Sequence, residues 1–115
     1  MAAPCTGRRR RWCSPTLPRA LVHAGLRQAL DWYAAQPAAE VDTLLNACRT
    51  WAFATDGRWR SKAESARWAR TRVPDPGPVD RALRVREGAS ESSPTAAEAG
   101  ALMAIAHAAL TGGPP

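Results

Sequence analysis

A serine and a lysine near the middle of the chain are of types that bind phosphate. Ser61 and Glu64 have the spacing of a capping box, in which the serine hydroxyl and the glutamate carboxylate each accept the other residue's amide hydrogen. A helix is therefore expected to start at Ser61, with Lys62 as its first residue. Because unpaired amides and the helix dipole make such a start positive, an added ammonium predicts an anion site, with phosphate as the obvious ligand. The alternative is that Lys62 is an ordinary solvated lysine.

Arg49 can reach the same anion if the chain turns back once. It lies seven residues before Asp56, which places it roughly 10 Å from the predicted end of its own helix. If the next helix folds back after residues 57–60, both cations reach one phosphate chain. Arg49 also borders an apolar stripe, so its guanidinium is expected to need an anionic partner.

Composition limits the fold and the kind of protein. A chain of 115 residues makes at most one domain, and five Trp with one Phe and one Tyr suit packed helices better than a β-sandwich. Three cysteines without a C-x-x-C pair argue against a disulfide framework and a zinc site, and Cys48 is expected in the core. No stretch resembles a membrane span or a signal peptide, so we expect a cytoplasmic protein that does not bind membranes.

Most of the positive charge lies at one end. Residues 8–11 are four arginines in a stretch, 1–16, without an acid, so they supply four of the six net charges and leave the rest at +2. In its Pro/Gly context this stretch predicts a disordered basic tail, with a nucleic-acid arm as the alternative.

Apolar spacing predicts an all-α bundle of about five helices. Breaks at Gln36-Pro37, Asp56-Gly57 and the proline-rich stretch 74–78 divide the chain. The expected helices cover about 17–36, a segment ending at 56, then 61 to about 72, 78 to near 88, and a last one that begins between 93 and 95 and ends at 112. Strand alternation is not seen in the sequence.

Several of these stretches resemble a known family. LLNACRTW (44–51), FATDG (53–57) and SKAESARWA (61–69) are similar, in order and spacing, to the C-terminal helical domain of aminoglycoside nucleotidyltransferases of the streptomycin/spectinomycin adenylyltransferase type. LPRALVHAGLRQALDWY before them and VDRALRVREG after them extend the similarity to about 17–88, with weaker similarity through the last helix. Residues 17–112 are therefore interpreted as one domain of this type.

The resemblance implies an activity and a binding role for particular residues. Family members transfer the adenylyl group of ATP to a streptomycin or spectinomycin hydroxyl, with Mg²⁺, in a cleft between an N-terminal nucleotidyltransferase domain and this helical domain, and so confer antibiotic resistance. It implies that Arg49 and Lys62, at the helix start capped by Ser61, bind the ATP phosphates. A carboxylate near the start of the second helix meets the cationic drug in some members; the aligned position here is Ala39, so the neighbouring Glu40 and Asp42 are the expected drug ligands.

The catalytic motifs of the family are not found in these 115 residues. The Gly-Ser motif, the Asp-x-Asp pair for two metals and the base carboxylate have no counterpart. Glu40 and Asp42 lie about 200° apart on a helix and cannot share a metal. No catalytic or metal-binding residue is therefore assigned, and the chain is expected to be inactive without an N-terminal domain. A truncated or mis-started reading frame and a separately expressed half are both open.

A free-standing basic helical module that binds nucleic acid or a partner protein is the alternative function. Its expected face is a basic set interleaved with Trp59 and Trp68: Arg58, Arg60, Lys62, Arg67, Arg70 and Arg72. Together with Trp51, these indoles can stack on an adenine or sugar ring or simply pack. His23 and His107 have no evident catalytic or metal partners and are expected to be solvated or bonded to a helix.

Overall fold

Five α-helices make up most of the part of the chain that the computed structural model describes, which is residues 18–36, 40–89 and 91–112. They are α1 (Arg19–Ala34), α2 (Glu40–Asp56), α3 (Lys62–Arg70), α4 (Gly77–Arg86) and α5 (Ala96–Leu110). No strand occurs in these ranges, and the predicted all-α class is confirmed. The predicted disordered tail, 1–16, lies outside the described residues.

The helix ends follow from local chemistry. Ser61 and Glu64 form the predicted capping box: the Glu64 amide donates to Ser61 Oγ at 3.1 Å and the Ser61 amide to Glu64 Oε1 at 3.2 Å. Thr95, one of the proposed starts of the last helix, caps α5 in the same way. Gly57 ends α2 at a φ of 75°, which a residue without a Cβ adopts at little cost. α3 ends at Arg70, two residues before the predicted end.

The second helix lies at the centre of the bundle. α2 packs against each of the other four helices, and Leu44, Leu45 and Cys48 are completely buried. Burial of a leucine side chain contributes about 1.5–3 kcal/mol, so this stripe is a main source of stability. Burial also raises the pKa of the Cys48 thiol to about 12, which keeps it neutral and confirms a core role. Only one face of α2 is left for binding.

Both histidines contribute to the packing of α1 on α5. His23 is 6% exposed, and its Nδ1 lies 2.9 Å from the Leu110 carbonyl, which can only accept, so the ring donates there. His107 Nε2 lies 3.2 Å from Asp31 Oδ1. Sequence reasoning missed these partners because they come from a distant part of the chain.

None of the described helices is both long enough and apolar enough to span a bilayer.

Candidate functional site

The chain between α2 and α3 runs back along α2. The Arg49 Nε, on α2, donates to the Arg60 carbonyl at 3.0 Å, and Lys62 Nζ lies 3.3 Å from Asp42 Oδ1, further towards the start of α2. Lys62 follows Arg60 in the chain, but its partner Asp42 precedes Arg49 on α2. The connecting segment and α2 therefore run antiparallel. The structure therefore brings Arg49, Ser61 and Lys62 to one side of α2, which we call the α2–α3 corner (residues 42, 46, 49, 53 and 57–62).

An ion pair holds the turn of this corner. Arg60 donates to Asp56 through two nitrogens, at 2.6 and 3.0 Å, and the Arg58 amide donates to the same carboxylate at 3.0 Å. These bonds, with that of Arg60 first, lower the pKa of Asp56 to about 2. The Arg60 guanidinium also lies 5.5 Å from the Trp68 ring. The turn is therefore anchored at its base, which fixes the start of α3.

Arg49 is held in place without an acidic partner. Only its Nε is used, on the Arg60 carbonyl, and its guanidinium lies 4.7 Å from the centre of the Trp59 ring. No carboxylate pairs with Arg49 in the described part of the chain, so the anionic partner that the sequence predicts for it is not supplied by these residues. Its two terminal nitrogens can therefore donate to an added anion.

Lys62 is partly exposed and only partly neutralised. Its side chain is 21% exposed and contacts Asp42, which is 54% exposed. The capping box occupies the amides of Ser61 and Glu64, and the described residues supply no partner for those of Lys62 and Ala63. The start of α3 thus offers an ammonium, two amides and the Ser61 hydroxyl proton to an anion.

The two predicted drug ligands lie apart. Asp42 belongs to the α2–α3 corner, whereas Glu40 lines a cavity of about 130 Å³ between α1, α2 and α5, together with Tyr33, Thr43 and Met103. The angle of about 200° between alternate helical positions accounts for this. No group of three or more His, Cys, Asp or Glu side chains within the described ranges is arranged to hold a metal.

The three tryptophans near the corner differ in environment. Trp51 and Trp68 pack edge to face, with ring centres 4.9 Å apart, and are partly buried against the core. Trp59 is 49% exposed, and its ring centre lies 5.5 Å from that of Phe53. The three polar residues at positions 42, 46 and 49 of α2 were a signal for this face that the sequence reasoning did not use.

Part of the basic set expected for nucleic-acid binding is paired with acids of the protein. Arg60 pairs with Asp56, and Arg70 donates to Asp80 at 2.8 and 3.1 Å. Arg72 donates to the Trp68 carbonyl and lies 4.1 Å from its ring, and these partners leave its charge uncompensated. The two arginines that are paired with carboxylates present less free charge to a polyanion.

Comparison with known proteins agrees with the sequence resemblance. The family model for "Aminoglycoside adenylyltransferase, C-terminal domain" matches residues 14–111. Neither a curated protein nor a solved structure matches the chain.

Proposed function

The chain belongs to the family of aminoglycoside adenylyltransferase C-terminal domains, and we propose that its α2–α3 corner binds the triphosphate of ATP for the adenylylation of a streptomycin- or spectinomycin-type antibiotic. The observation that carries this proposal is the placement of Arg49 and Lys62 on one side of α2, with the guanidinium held at Nε and free of any described carboxylate.

The donors of the corner suit a chain of phosphates. Lys62 lies beside Asp42. Arg49 is about 10 Å further along α2 than Asp42. Two long cationic side chains on this line can contact successive phosphates of one ligand, and the free amides at the start of α3 lie beside Lys62. Each charge-assisted hydrogen bond to such a ligand contributes about 1.5–3 kcal/mol.

Asp42 has two roles in this proposal. Its carboxylate holds Lys62 while the corner is empty of phosphate. Once Lys62 turns to the phosphates, the same carboxylate is available to an ammonium group of the antibiotic. Glu40, beside its separate cavity, is the second expected contact for the drug.

The chemical step assigns a limited task to this chain. An antibiotic hydroxyl gives its proton to a base, and its oxygen attacks the α-phosphorus of ATP. The bond between that phosphorus and the oxygen that bridges it to the β-phosphorus breaks, and pyrophosphate leaves with the bridging oxygen. Arg49 and Lys62 stabilise the negative charge that develops on the pyrophosphate. The described residues do not fit Mg²⁺, so we assign the metal ligands and the base to an N-terminal nucleotidyltransferase domain, without which the chain is inactive.

Lys62 makes the proposal directly testable, because it is the only lysine in the sequence. ATP or inorganic tripolyphosphate should protect its amine from acetylation, measured by mass spectrometry, while the N-terminal amine reacts at an unchanged rate. Equal acetylation of Lys62 with and without either ligand would contradict the proposal.

A second experiment measures activity. Mixed with a matching nucleotidyltransferase domain, the chain should support release of pyrophosphate in the presence of streptomycin or spectinomycin, and Lys62→Ala should lower kcat/KM about a hundredfold, as expected for loss of one or two charged hydrogen bonds. Arg67→Ala, which removes an exposed arginine of α3, should have no effect. Equal loss in both variants would mean that net charge, rather than Lys62, matters.

A further inference from the structure

We infer that Trp59 is the surface on which the base of the bound nucleotide stacks. This inference rests on the proposed phosphate site and goes beyond it, because it assigns the base end of the ligand and its direction along α2.

The exposure of Trp59 is the first observation. Trp51 and Trp68 cover each other in an edge-to-face pair, whereas 49% of Trp59 remains in contact with solvent. Packing therefore accounts for two of the three indoles but leaves much of the third uncovered. An indole in water is a large apolar surface that gains free energy when an aromatic ring covers it.

The second observation is that Trp59 is held in a defined orientation. Phe53 on α2 contacts it edge to face, with ring centres 5.5 Å apart and an interplanar angle of 73°. The Arg49 guanidinium lies over the ring, 4.7 Å from its centre. A ring held on two sides loses little further freedom when a base stacks on it.

Arg49 connects this surface to the phosphate site. Its guanidinium lies over the Trp59 ring, and its terminal nitrogens, which the Arg60 carbonyl does not use, are left for phosphate. Along α2 the order is Lys62 beside Asp42, then Arg49, then Trp59 beside Phe53. A nucleotide bound here therefore has its terminal phosphates towards the start of α2 and its base towards the end.

The chemistry of stacking defines the ligand class. Every base presents an aromatic face, and stacking on a side chain tolerates any of them. The Trp59 surface therefore strengthens the binding of a nucleoside triphosphate relative to inorganic tripolyphosphate.

The test compares the affinities of ATP and tripolyphosphate, by calorimetry, for the wild-type chain and Trp59→Ala. We expect the variant to bind ATP about tenfold more weakly and tripolyphosphate within about twofold of wild type. Trp32→Ala is the matched control, since Trp32 is a 60% exposed indole of α1 that does not belong to the corner, and it should change neither affinity. Equal affinities of Trp59→Ala and wild type for ATP would overturn the inference, as would equal weakening of both ligands.

Lys62→Ala separates this inference from the proposed function. If tripolyphosphate binds and Lys62→Ala weakens it, the phosphate site stands whatever the Trp59 result. If tripolyphosphate does not bind, or binds Lys62→Ala equally well, the proposed function fails and the base surface with it.

Trp59→Phe provides a measurement should the alanine variant not fold. It keeps an aromatic surface and should retain ATP affinity within about threefold. In the wild-type chain ATP should quench indole fluorescence more than tripolyphosphate does, and this difference should disappear in Trp59→Phe. A difference of the same size in both proteins would show that the base contacts another indole.

Discussion

The cations of the α2–α3 corner and those of α4 differ in the partners that the protein gives them. On the α4–α5 side, Arg81 donates to Glu98 at 2.6 Å and Arg84 pairs with Glu91. These arginines are the first cause of the lowered pKa of each carboxyl group. Arg81 and Arg84 are thus each matched by an acid that is held ionised.

At the corner this matching is incomplete. Lys62 has a single contact of 3.3 Å with Asp42, and Arg49 has a carbonyl and an aromatic ring as partners. Neither carbonyl nor ring neutralises a guanidinium. This difference supports the proposal that Arg49 and Lys62 bind an anionic ligand, whereas Arg81 and Arg84 pair within the protein.

The largest difference is expected between Arg49→Ala and Arg81→Ala. Arg49→Ala should weaken tripolyphosphate binding by about tenfold or more, because it removes charged donors to the ligand. Arg81→Ala should lower the free energy of unfolding only slightly, because solvent screens an exposed ion pair, and should leave affinity unchanged. Calorimetry measures the affinity for tripolyphosphate, and urea unfolding measures the free energy of unfolding. A loss of affinity in Arg81→Ala would remove the distinction between the regions.

The two capping boxes allow a matched test of stability. Ser61→Ala and Thr95→Ala each remove a hydroxyl that accepts from the third amide of its helix, and each should lower the free energy of unfolding by about 1 kcal/mol. Only Ser61→Ala should also weaken tripolyphosphate binding, since it loosens the start of α3 beside Lys62. If both variants bind tripolyphosphate more weakly than the wild type, or if neither does, the start of α3 has no specific role in phosphate binding.

Asp42→Asn should increase phosphate affinity. The exposed carboxylate competes for Lys62, and surface ion pairs of this kind contribute about 0.2–1 kcal/mol, so tripolyphosphate should bind more tightly at low salt, by at most about fivefold. Asp80→Asn, which removes the partner of Arg70, is the control and should leave affinity unchanged. Weaker binding by Asp42→Asn would show that the carboxylate orients Lys62 instead of competing for it.

The smallest expected effect is the dependence of stability on acid. The folded pKa of Asp56, about 2, lies below its usual 3.8, so its contribution is complete above about pH 4 and is lost as the pH falls towards 2. As the pH is lowered over this interval, the melting temperature of Asp56→Asn should therefore fall less steeply than that of the wild type. Parallel curves would show that the Arg60 pair contributes no stability in solution.

The helix ends were predictable because their causes are local. A capping box acts across residues 61–64, and Gly57 and Gly88, with φ values of 75° and 97°, adopt the left-handed conformation at the ends of helices. The apolar stripe through Leu44, Leu45 and Cys48 likewise identifies the buried side of α2. The end of α3 was placed two residues late because the prediction relied on the proline that follows.

The arrangement of the candidate site was predictable only in part. Sequence reasoning proposed that Arg49 and Lys62 face one ligand, and both lie at the corner. It did not find the pairing of Lys62 with Asp42, the position of the Arg49 guanidinium over the Trp59 ring, or the separation of Trp59 from the packed pair. These contacts depend on where the turn at 57–61 lies, which no local pattern specifies.

The sequence by itself determined five helices, their caps and a cation at the start of one of them, because hydrogen bonds and apolar periodicity act over a few residues. The tertiary structure alone decided which cations have acids as partners. Lys62 meets Asp42 across 20 residues and Arg49 meets Arg60 across 11. Such contacts form only when packing of the buried stripe of α2 sets the path of the connecting turn.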